Sequence, residues 1–165
     1  MKRYVVVILF WLFSGCQPPG QVSTDRAALV SVVGGYMEDI LNGNRWELYD
    51  RYFAAKVNFN GAPVDRSGLE RRVESFREAY PDFHVTIEEQ VVEGDLVVTR
   101  MTCTGTHLGS DFGVPATGTK VQFTGIAMDR VQNGKIVEMR FLGDVWGRML
   151  QIRPDLKDTR AVRSR

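Results

Sequence analysis

The segment that decides the fold runs from Gly105 to Gln151 and reads GTHLGSDFGVPATGTKVQFTGIAMDRVQNGKIVEMRFLGDVWGRMLQ. It begins with the end of a strand that carries His107, and a loop rich in glycine and proline follows. Two further strands are predicted on either side of Asn133-Gly134, a dipeptide typical of tight hairpins. Asp144 comes after the second of them, where a short last helix is predicted to begin. The segment therefore predicts paired antiparallel strands that end in a helix.

Upstream of this segment the spacing of the apolar residues follows a helical period. The first predicted helix is capped by Ser23 or Thr24, and it stops at Asn42-Gly43. The other predicted elements before the sheet are helices over residues 45–53 and 67–80, a brief strand over residues 56–60 and a turn at Gly61-Ala62-Pro63.

From Phe83 onwards the hydrophobic period changes from helical to two, which is typical of strands. His84 is expected to face solvent. The strand over residues 96–107 places one set of residues on a single face, and these are Val97, Thr99, Met101, Cys103 and His107. The next strand does the same with Val121, Phe123, Ala127 and Asp129. Helices followed by antiparallel strands predict an α+β domain with its helices on one face of a curved sheet.

The composition fits one globular domain. The chain has 165 residues, of which 44% are hydrophobic and 25% charged, and this balance is not that of a disordered protein. The formal net charge of +1 is unevenly distributed, because residues 152–165 carry +3 and residues 16–151 carry −4. An acidic domain with a short basic tail gives no reason to expect a nucleic-acid partner.

The amino terminus has the pattern of an export signal. Met1-Lys2-Arg3 is basic, residues 4–13 are almost wholly apolar, and Ser14-Gly15-Cys16 ends the run. This pattern resembles a bacterial lipoprotein signal over residues 1–15, which implies acylation of Cys16, anchorage to a membrane of the cell envelope and a tether over residues 16–24. Ordinary cleavage and secretion, with an incidental Cys16, is the alternative.

The cysteines and histidines predict neither a disulfide nor a metal site. Acylation of Cys16 would leave Cys103 alone, so no intramolecular disulfide could form. The two cysteines and two histidines do not follow the spacing of zinc ligands. No metal is therefore predicted.

Several groups of residues together carry a family resemblance. They are Gly105-Thr106-His107 with residues 113–118 behind it, the strand over residues 125–130, and residues 134–138 followed by Asp144, Gly147 and Gln151. They resemble the SnoaL-like polyketide cyclase (ester cyclase) family of the nuclear transport factor 2-like superfamily. The resemblance extends back through residues 80–84 to about Asp25. It implies a domain over residues 25–152 and a cone-shaped curved antiparallel sheet with the N-terminal helices packed on one face, enclosing a pocket. Residues 153–165, by their charges, are predicted to form a basic C-terminal tail.

Asp144 is the first candidate for chemistry. In the family that this chain resembles, the aspartate at this position is the general acid/base, and the reaction uses neither metal nor cofactor. It removes a proton from carbon beside a carbonyl and so starts an aldol-type ring closure. That role requires an apolar pocket that raises the pKa of the carboxyl from about 3.9. Alternatively, Asp144 caps the last helix by accepting backbone N–H bonds, which would lower its pKa.

His107 and Asp129 are further candidates, each with an alternative. His107 could donate a hydrogen bond to a developing enolate oxygen, or it could be a pocket-wall residue without a catalytic role. Asp129 could be a second polar group of the pocket, or it could pair with Arg130 or another cation near the end of its strand. The sequence leaves both pairs of interpretations open.

Arg140 stands where many members of the resembled family have tryptophan. It could hold an anionic substrate, pair with Asp144, or bridge to Glu138 on the same strand face. Pairing with Asp144 would lower the pKa of that carboxyl and argue against a base. The remaining predicted substrate-binding residues are Asn60, Trp46 and Phe123.

The residues and the resemblance together predict a lipid-anchored cyclase, lyase or isomerase that acts on a small apolar carbonyl compound, in polyketide-like metabolism by resemblance. A non-catalytic lipoprotein that binds a small apolar ligand is the first alternative. An epoxide hydrolase is a weaker one, because it needs an arginine between two carboxylates, and Arg140 with Asp144 and Asp129 would only approximate that arrangement. A homodimer is expected from exposed sheet faces and from the resemblance.

Overall fold

The computed structural model describes residues 25–157. The predicted signal peptide over residues 1–15, the tether over residues 16–24 with its lipidation site Cys16, and residues 158–165 lie outside the described residues. Export, lipid anchoring and the basic tail beyond residue 157 therefore stay predictions. Within residues 25–157, no helix has the length and apolar character needed to span a bilayer.

Residues 25–157 contain four α-helices, which span Arg26–Tyr36 (α1), Tyr49–Tyr52 (α2), Arg66–Ala79 (α3) and Val145–Ile152 (α4). α1 continues directly into a π-helical segment over Met37–Asn42. The cap of α1 is Asp25 rather than the predicted Ser23 or Thr24, since the Asp25 side chain accepts a hydrogen bond from the backbone N–H of Ala27 at 3.0 Å. The predicted second helix is divided into a 3₁₀ turn over Trp46–Leu48 and α2.

Six strands of the described chain form the sheet, Phe53–Phe59 (β1), Ala62–Asp65 (β2), His84–Glu93 (β3), Leu96–Thr106 (β4), Lys120–Gln132 (β5) and Lys135–Gly143 (β6). Their order is β2-β1-β6-β5-β4-β3, and the sheet is curved but not closed. The predicted α+β class with a curved sheet is confirmed. One pairing differs from the antiparallel prediction, because β1 runs parallel to β6. The long connection between these two strands permits that direction, which a short hairpin could not.

The first hairpin also differs from its prediction. Ala62 and Pro63 belong to β2, and the turn lies one residue earlier, at Asn60-Gly61. Both turn residues have positive φ, 49° at Asn60 and 89° at Gly61, which is the backbone that a two-residue hairpin requires and that Asn-Gly adopts readily. The Asn-Gly pair therefore forms the turn, and Pro63 lies in the short edge strand, where its missing N–H is tolerated.

The core lies between the helices and one face of the sheet. The alternation predicted for β4 and β5 is confirmed, since Val97 and Asp129 are buried while Ile126 is exposed. His84, at the start of β3, is exposed as predicted. On the opposite face Ile126 and Leu142 pair across β5 and β6 and are both exposed. The predicted homodimer is untested and stays a prediction.

Candidate active site

An apolar cavity of about 210 Å³ lies between the helices and the sheet. Nearly all of its wall is aliphatic or aromatic, and the charged residues among those that line it are Arg72, Asp129 and Arg140. Helices α1 and α3 supply one side, and strands β4, β5 and β6 supply the other. A concave apolar space with few polar groups is the usual form of a small-molecule site.

Asp129 is the acidic group of this cavity. Its side chain is 0% exposed, and strand pairing places it between Val97 on β4 and Met139 on β6. The hydroxyl of Tyr36 donates a hydrogen bond to Oδ2 at 3.3 Å, while Oδ1 has no hydrogen-bond partner among residues 25–157. Both carboxyl oxygens are thus removed from solvent, and one of them is free to meet a ligand.

Burial raises the pKa of Asp129 from 3.8 to about 7, and the hydrogen bond from Tyr36 opposes that rise. Desolvation disfavours the charged carboxylate, which is why the proton is held more tightly. Tyr36 stays a phenol, because burial and the neighbouring Asp129 raise its pKa well above 10. A carboxyl with a pKa near neutrality can both accept and return a proton at working pH, as a general acid/base must.

Cys103 lines the same cavity, but its chemistry is different. It is a free, buried cysteine, and burial raises the pKa of its thiol to about 12. The nucleophilic form of cysteine is the thiolate, which is a minor species at neutral pH under these conditions. Cys103 is therefore an apolar wall residue, and Asp129 is the acidic residue among those that line the cavity.

Asp144 occupies the cap of α4. Its carboxylate accepts a hydrogen bond from the backbone N–H of Gly147 at 2.8 Å, and the residue is exposed. A Cβ atom on Gly147 would lie 2.1 Å from Asp144 Oδ2, so glycine is what allows the carboxylate so close to the backbone. Asp144 is absent from the residues that line the apolar cavity. This placement matches the capping interpretation.

Arg140 lines the cavity, but its guanidinium pairs with Glu138. Its Nε donates to Oε1 of Glu138 at 2.8 Å, and its side chain is 65% exposed. Of the three partners considered from the sequence, the structure therefore shows Glu138. The epoxide hydrolase alternative, in which Arg140 would lie between Asp144 and Asp129, gains no support from this contact.

Asp129 does not pair with Arg130, as one interpretation of the sequence expected. Arg130 forms ion pairs with Asp95 and Glu138 instead. Successive residues of a strand point to opposite faces, so the two side chains are on different sides of the sheet. The carboxyl of Asp129 faces the cavity without a cation paired to it among residues 25–157.

His107 lies apart from the cavity lining, beneath the loop over residues 108–118. Its side chain is fully buried, Nδ1 is 3.0 Å from Oγ1 of Thr117, and its ring centroid is 5.4 Å from that of Tyr80. Nε2 has no hydrogen-bond partner within the described chain. The structure therefore does not bring His107 and Asp129 together in one cavity.

The other predicted substrate-binding residues lie at three different positions in the fold. Trp46 lines the cavity, and its Nε1 donates to Oδ1 of Asn44 at 3.0 Å. Phe123 is buried against Arg148 and lines a neighbouring pocket of about 300 Å³. Asn60 is exposed at the β1–β2 turn, where its Oδ1 accepts the N–H of Phe141 at 2.9 Å, and it lies outside the cavity lining.

Arg148 is a buried cation that the sequence did not single out. It is 7% exposed, its Nε lies 3.0 Å from Oδ2 of Asp111, and the Tyr80 hydroxyl donates to the same carboxylate at 2.7 Å. Its guanidinium carbon lies within 5.6 Å of four ring centroids, which belong to Phe76, Tyr80, Phe112 and Phe123. An arginine in an amphipathic helix is usually exposed, so no sequence signal marked this one.

Within residues 25–157 no group of three or more histidine, cysteine, aspartate or glutamate side chains is arranged to hold a metal ion.

The comparisons with known proteins agree with this fold. The family model described as SnoaL-like polyketide cyclase matches residues 31–152, and the chain belongs to that family. No curated protein matches the chain.

Solved structures of the same family are similar to this chain. A candidate polyketide cyclase from Acidithiobacillus ferrooxidans is 22% identical, with a TM-score of 0.70, over 79% of this chain and 98% of that one. IdmH, a candidate polyketide cyclase from Streptomyces antibioticus, is 29% identical, with a TM-score of 0.67, over 75% and 97%. A candidate SnoaL-like polyketide cyclase from Jannaschia is 22% identical, with a TM-score of 0.68, over 76% and 92%.

Proposed function

We propose that this chain catalyses cofactor-independent proton transfer on a small apolar carbonyl compound, with Asp129 as the acid/base. One observation carries this assignment, a buried carboxyl that faces an apolar cavity and has a pKa near neutrality. Membership of the SnoaL-like polyketide cyclase family supports the class of reaction. Aldol-type cyclisation, β-elimination by a lyase and double-bond isomerisation can each begin with removal of a proton from the carbon beside the carbonyl.

In the first step the ionised Asp129 takes a proton from the carbon beside the carbonyl. The C–H bond breaks, its electron pair forms the carbon–carbon double bond of an enolate, and the negative charge moves to the carbonyl oxygen. Tyr36, which donates to Oδ2, leaves Oδ1 as the oxygen free to accept that proton. The protonated carboxyl then returns the proton to carbon in an isomerisation, or to the new alkoxide after a ring closure.

This assignment moves the catalytic role from Asp144 to Asp129. Asp144 is exposed, accepts the backbone N–H of Gly147 and does not line the apolar cavity. A carboxyl in an apolar cavity is a stronger base, and the water-poor surroundings protect the enolate. His107, which lies outside the cavity lining, is assigned no contact with the reacting atoms.

The test uses 2-tetralone, a small apolar ketone, as a probe for proton removal. Exchange of its α-protons in D₂O is followed by proton NMR with the purified full-length chain. We expect the wild-type chain to accelerate exchange over buffer and Asp129→Asn to lower the enzymatic rate at least about 100-fold, the usual contribution of a general base. Asp144→Asn is the matched control, and it should retain the wild-type rate because asparagine also caps helices.

Loss of exchange in Asp144→Asn with full exchange in Asp129→Asn would return the role to Asp144. If 2-tetralone bound to the wild-type chain without any accelerated exchange, enzymatic proton transfer would be excluded for this probe. The non-catalytic binding protein would then be the better account. Its supporting observation is the same apolar cavity, which needs no chemistry to hold a ligand.

A further inference from the structure

Arg72 lies on the wall that two neighbouring concavities share. On one side is the apolar cavity that contains Asp129, and on the other is an open groove along α3 and β2. Its guanidinium carbon is 5.0 Å from the centroid of the Phe59 ring. Stacking on an aromatic face stabilises the cation and holds it at the rim of the cavity.

The charge of Arg72 is not neutralised by a neighbouring carboxylate. No ion pair joins it to an acidic side chain within residues 25–157, whereas Arg140, the other cation of the cavity lining, is paired with Glu138. The positions three and four residues away on α3 are occupied by Gly68, Leu69, Ser75 and Phe76, so the helix offers no acidic neighbour either. The guanidinium of Arg72 is therefore available to bind an anionic ligand.

The adjoining groove strengthens the positive field at this rim. It is lined by Lys56 and Arg71 in addition to Arg72, and its acidic residue is Asp65. The Asp65 carboxylate already caps α3 by accepting the Gly68 N–H at 2.9 Å. The groove therefore has three cations and one carboxylate, which is already hydrogen-bonded, and this excess of positive charge favours binding of an oxyanion.

We infer that the ligand of this site is an amphiphile, with an apolar body in the cavity and a carboxylate or phosphate oxyanion held by Arg72 at its rim. Assigning this ligand as the substrate rests on the proposed function, whereas its binding does not. The apolar body reaches toward Asp129, and the guanidinium supplies paired donors that suit either oxyanion. A neutral compound with the same body fills the cavity but leaves Arg72 unused.

The test compares octanoate, octyl phosphate and 1-octanol, which share one chain and differ in the head group. Dissociation constants are measured by calorimetry with the full-length chain carrying Cys16→Ser, so that no acyl group competes with the probes. We expect Arg72→Gln to weaken binding of the two anions about 10-fold, the size of a charge-assisted hydrogen bond, and to leave octanol unchanged. Of octanoate and octyl phosphate, the anion that loses more affinity in Arg72→Gln has the preferred oxyanion.

Arg51→Gln is the matched control. Arg51 is also stacked on an aromatic ring, with its guanidinium carbon 5.5 Å from the Tyr52 centroid, but it lines neither concavity. It should change no dissociation constant. Equal binding of octanol and the anions to the wild-type chain, an equal loss in both arginine variants, or no binding of any probe would overturn the inference. Because Asp129→Asn should still bind octanoate, failed proton exchange and failed anion binding are separate results.

Discussion

Replacing Arg148 with methionine is expected to lower the free energy of unfolding by about 3–5 kcal/mol, the usual cost of removing one partner of a buried ion pair. The side chains of Arg148 and Asp111 are 8% and 11% exposed, so the remaining carboxylate would stay largely buried. The substitution also removes a cation that lies over four aromatic rings. Urea unfolding at neutral pH measures the difference.

Arg153→Met is the control for this change. Arg153 pairs with Asp155 at 2.6 Å, but the two side chains are 43% and 59% exposed. Exposed ion pairs contribute little to stability, so this variant should unfold close to the wild type. Equal losses in the two variants would mean that burial of the Arg148 pair does not determine its contribution.

The second large effect is a pH dependence of stability that Asp129→Asn removes. The folded chain holds the Asp129 proton up to a pKa of about 7, whereas an unfolded aspartate releases it near 3.9. Between these values the folded state binds more protons than the unfolded state, so stability falls as the pH rises. The loss begins near pH 4, is complete above about pH 7, and amounts to about 4 kcal/mol.

Urea unfolding of both chains at pH 5 and pH 8 tests this. The wild-type chain should lose stability relative to Asp129→Asn across that interval, because asparagine does not titrate. Asp144→Asn, which changes an exposed cap, should keep the wild-type dependence. The same pH dependence in wild type and Asp129→Asn would show that the buried carboxyl does not titrate between pH 5 and 8.

The burial of Asp129 could be predicted from the sequence. Strand alternation placed it on the same face as Val121 and Ala127, and that face is buried. The same alternation opposes the interpretation that Asp129 pairs with Arg130, because adjacent strand residues point to opposite faces. The alternation of the strand was therefore better evidence for the position of the Asp129 side chain than the adjacency of Arg130 in the sequence.

The partners of Asp129 and Arg148 could not be predicted in this way. Tyr36 is 93 residues from Asp129, and Arg148 is 37 residues from Asp111. A buried tyrosine hydroxyl usually needs a hydrogen-bond partner. The partner of the Tyr36 hydroxyl depends on how α1 packs across the sheet, and local sequence patterns do not determine that packing. For Asp144, its position at the start of the predicted last helix indicated a cap but did not decide between cap and base.

The most direct test of Asp129 as the acid/base is its pKa, measured by carboxyl-carbon NMR titration of the full-length chain and assigned by the signal that Asp129→Asn removes. A pKa of about 7 is predicted, because the carboxyl is buried in an apolar cavity with one hydrogen-bond donor. A pKa at or below about 4 would contradict the account, since a carboxyl of that strength would be solvated or paired and too weak a base for proton removal from carbon.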